Sequence, residues 1–208
     1  MTAHRSLARR AAAVVAVATA AVALAACGGG DSSGGHDGHK TSSPSASAPA
    51  QQGANNAADV TFARGMIPHH RQAVEMADLA ADRASSNQVK DLADKIKKAQ
   101  DPEIKTMSGW LESWGEQVPA ENEGMDHGGH GTSGMMSAED MATLEKSSGK
   151  AFDTAFLEMM IKHHEGAVEM AKTEQSQGDY QPAKDMAQDI ITSQTAEITQ
   201  MNKQLGKG

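Results

Sequence analysis

The sequence predicts an all-α fold, an antiparallel four-helix bundle built from a duplicated helical hairpin. The first observation is an internal repeat. Residues 59–111 and 153–205 align at a constant offset of 94 without a gap, and 20 of the 53 pairs are identical. The second is apolar spacing. Phe62, Met66, His69, Ala73 and Met76 fall four, three, four and three apart, the inward stripe of a bundled helix. Val89, Leu92, Ile96, Glu103, Ile104, Met107 and Leu111 carry a similar stripe on a second helix. The third is composition. Aromatic residues make up only 3% of the chain, so the core has to be assembled from Ala, Val, Ile, Leu and Met.

The elements follow in chain order. Residues 1–26 form a basic stretch, "MTAHRSLARR", and the Ala-rich run "AAAVVAVATAAVALAA", which is too short for a membrane-spanning helix. The run ends in "LAAC", the pattern of a bacterial lipoprotein signal with Cys27 as the lipidated residue. Two or more acyl chains would anchor the protein on the outer face of the cell membrane, in the cell envelope. Removing the segment leaves 182 residues and, by losing Arg5, Arg9 and Arg10, takes the formal charge from −8 to −11. That charge, with no basic run, excludes a nucleic-acid partner. With Cys27 lipidated, no thiolate remains for a disulfide or a metal.

Residues 27–58 are rich in Gly, Ser, Ala and Pro and read as a disordered tether; they include His36 and His39. The four-helix domain spans 59–208. Asp59 is expected to cap its first helix. Pro68 and Pro102 fall within helical stripes and are expected to kink them. A Gly-rich loop over about 115–137 separates the halves, and Ser137 with Asp140 reads as the cap of a short helix before the second hairpin.

The chemistry lies in two nearly identical stretches, "MIPHHRQAVEMA" from Met66 and "MIKHHEGAVEMA" from Met160. A lone histidine on an apolar face is usually a hydrogen-bonded core residue, and a lone methionine usually fills a gap. Here the pattern recurs. Met66 lies three and four residues before His69 and His70, and Met160 stands likewise to His163 and His164, spacings that bring side chains together on a helix. Glu103 and Glu197 occupy matching inward positions on the second helices, as ligands or as acceptors that orient a histidine. Thioether sulfur selects copper(I) and imidazole suits copper, zinc and other divalent ions, so His and Met without Cys point to a copper ion, with zinc or another divalent metal as the next candidate. The predicted site gathers His69, His70, His163 and His164 with Met66 and Met160 beside them. Met125, His127, His130, Met135 and Met136 of the loop form a secondary, looser set with His36 and His39 of the tether. Imidazole ligands must be neutral, so affinity is expected to fall below the ordinary histidine value of about 6.5.

The pattern Asp-x-x-Phe-x-x-x-Met-Ile-x-His-His-x-x-Ala-Val-Glu-Met-Ala resembles the bacterial domain of unknown function 305 family; here it reads "DVTFARGMIPHHRQAVEMA" and "DTAFLEMMIKHHEGAVEMA". The resemblance covers about 59–205. It implies a ferritin-like four-helix bundle, secreted or periplasmic, with some members acting in copper binding and resistance. The matching positions are Met66, His69, His70, Met76, Met160, His163, His164 and Met170.

The expected function is therefore a lipid-anchored copper buffer or chaperone, not an enzyme. A metal-free helical interaction module of the envelope is the alternative. A ferritin-like redox enzyme is disfavoured, because Glu75 follows His70 by five and Glu169 follows His164 by five, so the Glu-x-x-His ligand motif is missing. The expected partners are a metal ion and, through the anchor, the membrane; no protein partner is specified.

Overall fold

The structure is a computed structural model and describes residues 54–121 and 133–207. The signal segment, Cys27, the tether histidines His36 and His39, and Met125, His127 and His130 of the loop lie outside the described residues. Five helices follow in order: α1 (Ala57–Arg83), α2 (Asn87–Ser113), the short α3 (Ala138–Lys146), α4 (Gly149–Gln177) and α5 (Gln181–Gln204). The described residues are all-α. The hairpins α1–α2 and α4–α5 pack chiefly through α1 against α4.

The start of α1 corrects the sequence expectation. Asn56, not Asp59, is the N-cap: its side chain accepts the N–H of Ala58 at 2.6 Å and of Asp59 at 3.2 Å, and Asp59 returns the favour to the Asn56 N–H at 2.6 Å. This is a reciprocal capping box, so the helix begins three residues earlier than a cap at Asp59 would start it. Ser137 and Asp140 make the predicted box at α3. Both α1 and α2 run through their prolines as single helices, so Pro68 does not begin α1.

The two halves interlock by an exchange. Asp59 at the start of α1 accepts the backbone N–H of Asp179 (3.3 Å) and Tyr180 (3.0 Å) in the α4–α5 turn. Its repeat partner Asp153 accepts those of Ser85 (3.0 Å) and Ser86 (3.1 Å) in the α1–α2 turn, and the Ser85 hydroxyl as well. Residues 85 and 86 are the repeat partners of 179 and 180, so the contact is two-fold. Each half closes the turn of the other, which otherwise would leave N–H groups unpaired.

The core falls into two apolar clusters. One holds Phe62, Ala63, Met66 and Ile67 of α1 with Ala167 and Ala171 of α4, Met107 and Leu111 of α2, and Ile190 of α5. The other holds Ala73, Met76 and Ala80 of α1 with Phe152, Phe156 and Met160 of α4, Leu92 and Ile96 of α2, and Met201 of α5. The first half of α1 thus meets the second half of α4, and the reverse, so α1 and α4 are antiparallel.

Candidate metal centre

His69 and His163 come off α1 and α4 where these helices meet. Both are fully buried, and their ring centroids are 3.7 Å apart with the planes tilted by 41°. The pair sits between the two apolar clusters. Met66 belongs to one cluster and Met160 to the other. The antiparallel pairing of α1 and α4 dictates this: a methionine upstream of each histidine points to opposite ends of the bundle.

His70 and His164, one residue on, face the second helices. His70 Nε2 donates to Glu103 Oε2 at 2.8 Å, and His164 Nε2 donates to Glu197 Oε2 at 2.7 Å. Both imidazoles are fully buried, while the glutamates keep 21% and 20% of their side chains exposed, enough for water to share the cost of their charge. Each glutamate fixes the tautomer of its histidine, leaving Nδ1 as a bare acceptor. His69 is fixed similarly, with Nε2 donating to the Ser133 carbonyl at 3.2 Å.

The remaining polar atoms are orphans. The Nδ1 atoms of His69, His70 and His164 and both ring nitrogens of His163 are buried without a hydrogen-bond partner, as are Oε1 of Gln100 and of Gln194. Gln100 and Gln194 stand one turn before Glu103 and Glu197. An unpartnered buried polar atom costs on the order of 1–3 kcal/mol, and native structures carry few of them. Seven such atoms on matching repeat positions therefore signal donors held for something else. Uncharged imidazole nitrogens with free lone pairs are the donor type that copper and zinc take.

Protonation is disfavoured here. Burial, then the nearby His70, lowers His69 to about 3, against partial support from the Ser133 carbonyl. Burial and the neighbouring His69, His164 and His70 hold His163 well below the usual imidazole range, the His69 backbone opposing least. The ordinary value of about 6.5 therefore does not govern this pair, and the expected loss of affinity below it does not carry over. Both rings stay neutral, the form a metal needs, well into mild acid.

A short strap covers the pair. Gln72, two residues after His70, grips Met136 from both sides: Nε2 donates to the Met136 carbonyl at 2.9 Å, and Oε1 accepts the Met136 N–H at 2.7 Å. Arg71 donates to the carbonyls of Pro119 (2.7 Å) and Ala120 (2.9 Å). Both ends of the His- and Met-rich loop are thus tied to the two residues that follow the first His-His pair. Gly134, at φ +83°, and Gly166 pack backbone to backbone, and a Cβ on Gly166 would overlap the Ser133 carbonyl. Met136 is consequently buried and Met135 half-buried, so this end of the loop is packed, contrary to its Gly-rich composition.

The four histidines form a central pair and two flanking His–Glu pairs, with the His163 and His164 ring centroids 6.4 Å apart. Among the described residues no three His, Cys, Asp or Glu side chains converge on one point as an ion would require. The structure places Glu103 and Glu197 as acceptors that orient His70 and His164, and Met66 and Met160 at opposite faces of the layer. Gln72, Ser133, Gly134 and Gly166 escaped sequence reasoning. Their one signal was a mismatch in the repeat, Gln72 standing opposite Gly166.

The comparisons fit this architecture. A family model described as "Domain of unknown function (DUF305)" matches residues 59–205. A DUF305 protein from Streptomyces coelicolor, described as secreted, is 34% identical, with a TM-score of 0.65 over 72% of this chain and 93% of that one. CopM in its Cu(II)-bound form is 36% identical, with a TM-score of 0.61 over 70% and 93%. CopM in its Cu(I)-bound form is 33% identical, with a TM-score of 0.59 over 72% and 98%. No curated protein sequence matches. A duplicated His-His hairpin, a family match across both copies and the shared bundle lead to one assignment: the chain belongs to the DUF305 family.

Proposed function

We propose that this chain is an extracytoplasmic metal-binding protein that buffers or hands on copper, anchored through lipid on Cys27, and that it is not an enzyme. The observation that carries the reading is the central pair, two fully buried imidazoles 3.7 Å apart between centroids, with three of their four nitrogens unpartnered. The reading is supported by CopM, whose Cu(II)-, Cu(I)- and Ag-bound forms share this fold at 33–36% identity. His69 and His163 are the ligands we assign first, with His70 and His164 held next to them by Glu103 and Glu197. Met66 and Met160 supply a thioether on each face, which suits copper(I). A metal-free module fits less well, because it needs histidines satisfied within the core, and neither ring nitrogen of His163 has a partner at full hydrogen-bond geometry.

The test is His69→Leu/His163→Leu. Tight copper binding, read by competition with a chelator, should weaken by about 100-fold or more, beyond the usual cost of losing an outer partner. The metal-free variant should be as stable in urea as the parent or more so, because two costly buried polar groups are gone. Unchanged copper affinity would sink the reading. For the anchor, Cys27→Ser should move the protein from the membrane fraction to the soluble one, and an unchanged distribution rejects lipidation.

A further inference from the structure

We propose that Met135, Met136 and Met159 form a second metal site, a thioether site for a soft monovalent cation of the Cu(I) or Ag(I) type, placed beside the strap that covers the histidine pair. The three side chains line one cavity of about 380 Å³. Gly134 and Lys162 line it too. Gly134 follows Ser133, whose carbonyl binds His69, and Lys162 precedes His163. The cavity therefore abuts the histidine layer without sharing a side chain with it.

The backbone explains how the three methionines come to line one cavity. Gly134 turns the chain at φ +83° and lies against the Lys162 carbonyl and Gly166, leaving no room for a Cβ. The turn delivers Met135 and Met136 to the side of α4 that carries Met159. Met159 stands opposite Gly65 in the repeat, so the bundle needs no side chain at this position. A gap-filling methionine would be buried. Met136 is, at 7% exposure, but Met135 and Met159 are only half-buried, and the space between them is open.

The other donors on the cavity are engaged. Asp140 accepts from the Ser137 N–H at 3.1 Å and hydroxyl at 2.7 Å, closing the cap of α3, and Glu158 pairs with Lys207 at 3.0 Å. The thioethers are the soft donors on this wall, and soft donors select soft ions. One leg buried and two half-exposed describe a site that can receive an ion from solvent.

The experiment uses the full chain with methyl-¹³C methionine and silver(I) as the probe. The methyl resonances of Met135, Met136 and Met159 should shift together and saturate with one equivalent, while those of the core residues Met107 and Met201 stay in place. Met135→Leu/Met159→Leu should lose that equivalent or bind it more than about 100-fold more weakly, a larger effect than loss of an outer partner. His69→Leu/His163→Leu should keep it, which separates this site from the histidine centre. The proposal is overturned if the three methyls stay still while silver binds, if the methionine variant keeps full stoichiometry and affinity, or if the histidine variant loses the same equivalent.

Discussion

The two hairpins of this chain agree where they meet and differ along one side. Agreement is close at the His–Glu pairs, 2.8 Å in one half and 2.7 Å in the other, and at Asp59 and Asp153, which close each other's turns. Three of the differences matter here: Gly65 against Met159, Gln72 against Gly166 and Ala80 against Glu174. The first two serve the strap. The third puts a carboxyl where the other half has a buried methyl. Symmetric positions thus carry the fold and the histidine layer, while unsymmetric ones carry what a single hairpin cannot encode twice.

Three measurements break or sharpen this comparison. The largest effect is expected at the shared aspartates. Asp153→Ala removes the acceptor for two backbone N–H groups and a hydroxyl at the α1–α2 turn. It should cost about 3 kcal/mol in urea unfolding, given roughly 1.5–3 kcal/mol for a hydrogen bond to a charged group and some rescue by water. Asp59→Ala should match it to within about 1 kcal/mol if the two-fold exchange is the main role of both.

A smaller effect is expected at Glu174, where the halves part. Burial, and then the adjacent Asp59 carboxyl, push Glu174 up to about 8. Burial alone would raise Asp59 as well, but the neighbouring Glu174 and the N–H groups of Asn56, Tyr180 and Asp179 outweigh it and lower Asp59. Glu174 is thus a neutral acid in the fold and an anion in the unfolded chain above its ordinary value of 4.5. The folded state holds a proton that the unfolded state has released, so this contribution is complete below 4.5 and is lost as pH rises to about 8. Glu174→Gln should remove the slope, with a difference on the order of 2 kcal/mol across the window, read from urea midpoints at several pH values. A parallel pH course for parent and variant would show that the carboxyl is ionised in the fold.

The smallest effect belongs to an asymmetry without consequence. Lys97 pairs with Asp78 in the first half, where the second half has Ile191 and Lys172. Lys97 is half-exposed, at 33%, and Asp78 exposed, at 57%. Lys97→Met should change stability by about 0.5 kcal/mol or less, as surface ion pairs do. A larger loss in urea unfolding would mean that the pair fixes the α1–α2 hairpin.

Much of this was legible in the sequence, for reasons that particular residues make plain. The stripes of Phe62, Met66 and Met76 and of Leu92 and Ile96 report a local period, and the same residues form the core. The repeat reports two-fold packing. Legibility ends where a contact joins distant segments. Asp59 reads as a cap because the second duty of its carboxyl is to a turn some 120 residues away. The Asn56–Asp59 box offers two capping residues, and only the backbone of α1 decides between them. Gly134 and Gly166 look like ordinary loop and helix glycines until the strap lies across α4. Adjacency in sequence also hides that His69 and His70 leave the helix toward different neighbours, one toward His163 and the other toward Glu103.

A half-turn of the bundle exchanges His69 with His163, but it does not exchange the strap. The Ser133 carbonyl holds His69 in one tautomer, whereas nothing meets His163 at full hydrogen-bond geometry, the His69 backbone giving it only weak support. Two imidazoles that are equals by descent are therefore unequal as donors: one has its free lone pair fixed at Nδ1, and the other can present either nitrogen. A perfectly symmetric pair has no front and no back. The strap gives this one a direction: the His69 side of the layer carries the Ser133 carbonyl, and the His163 side does not.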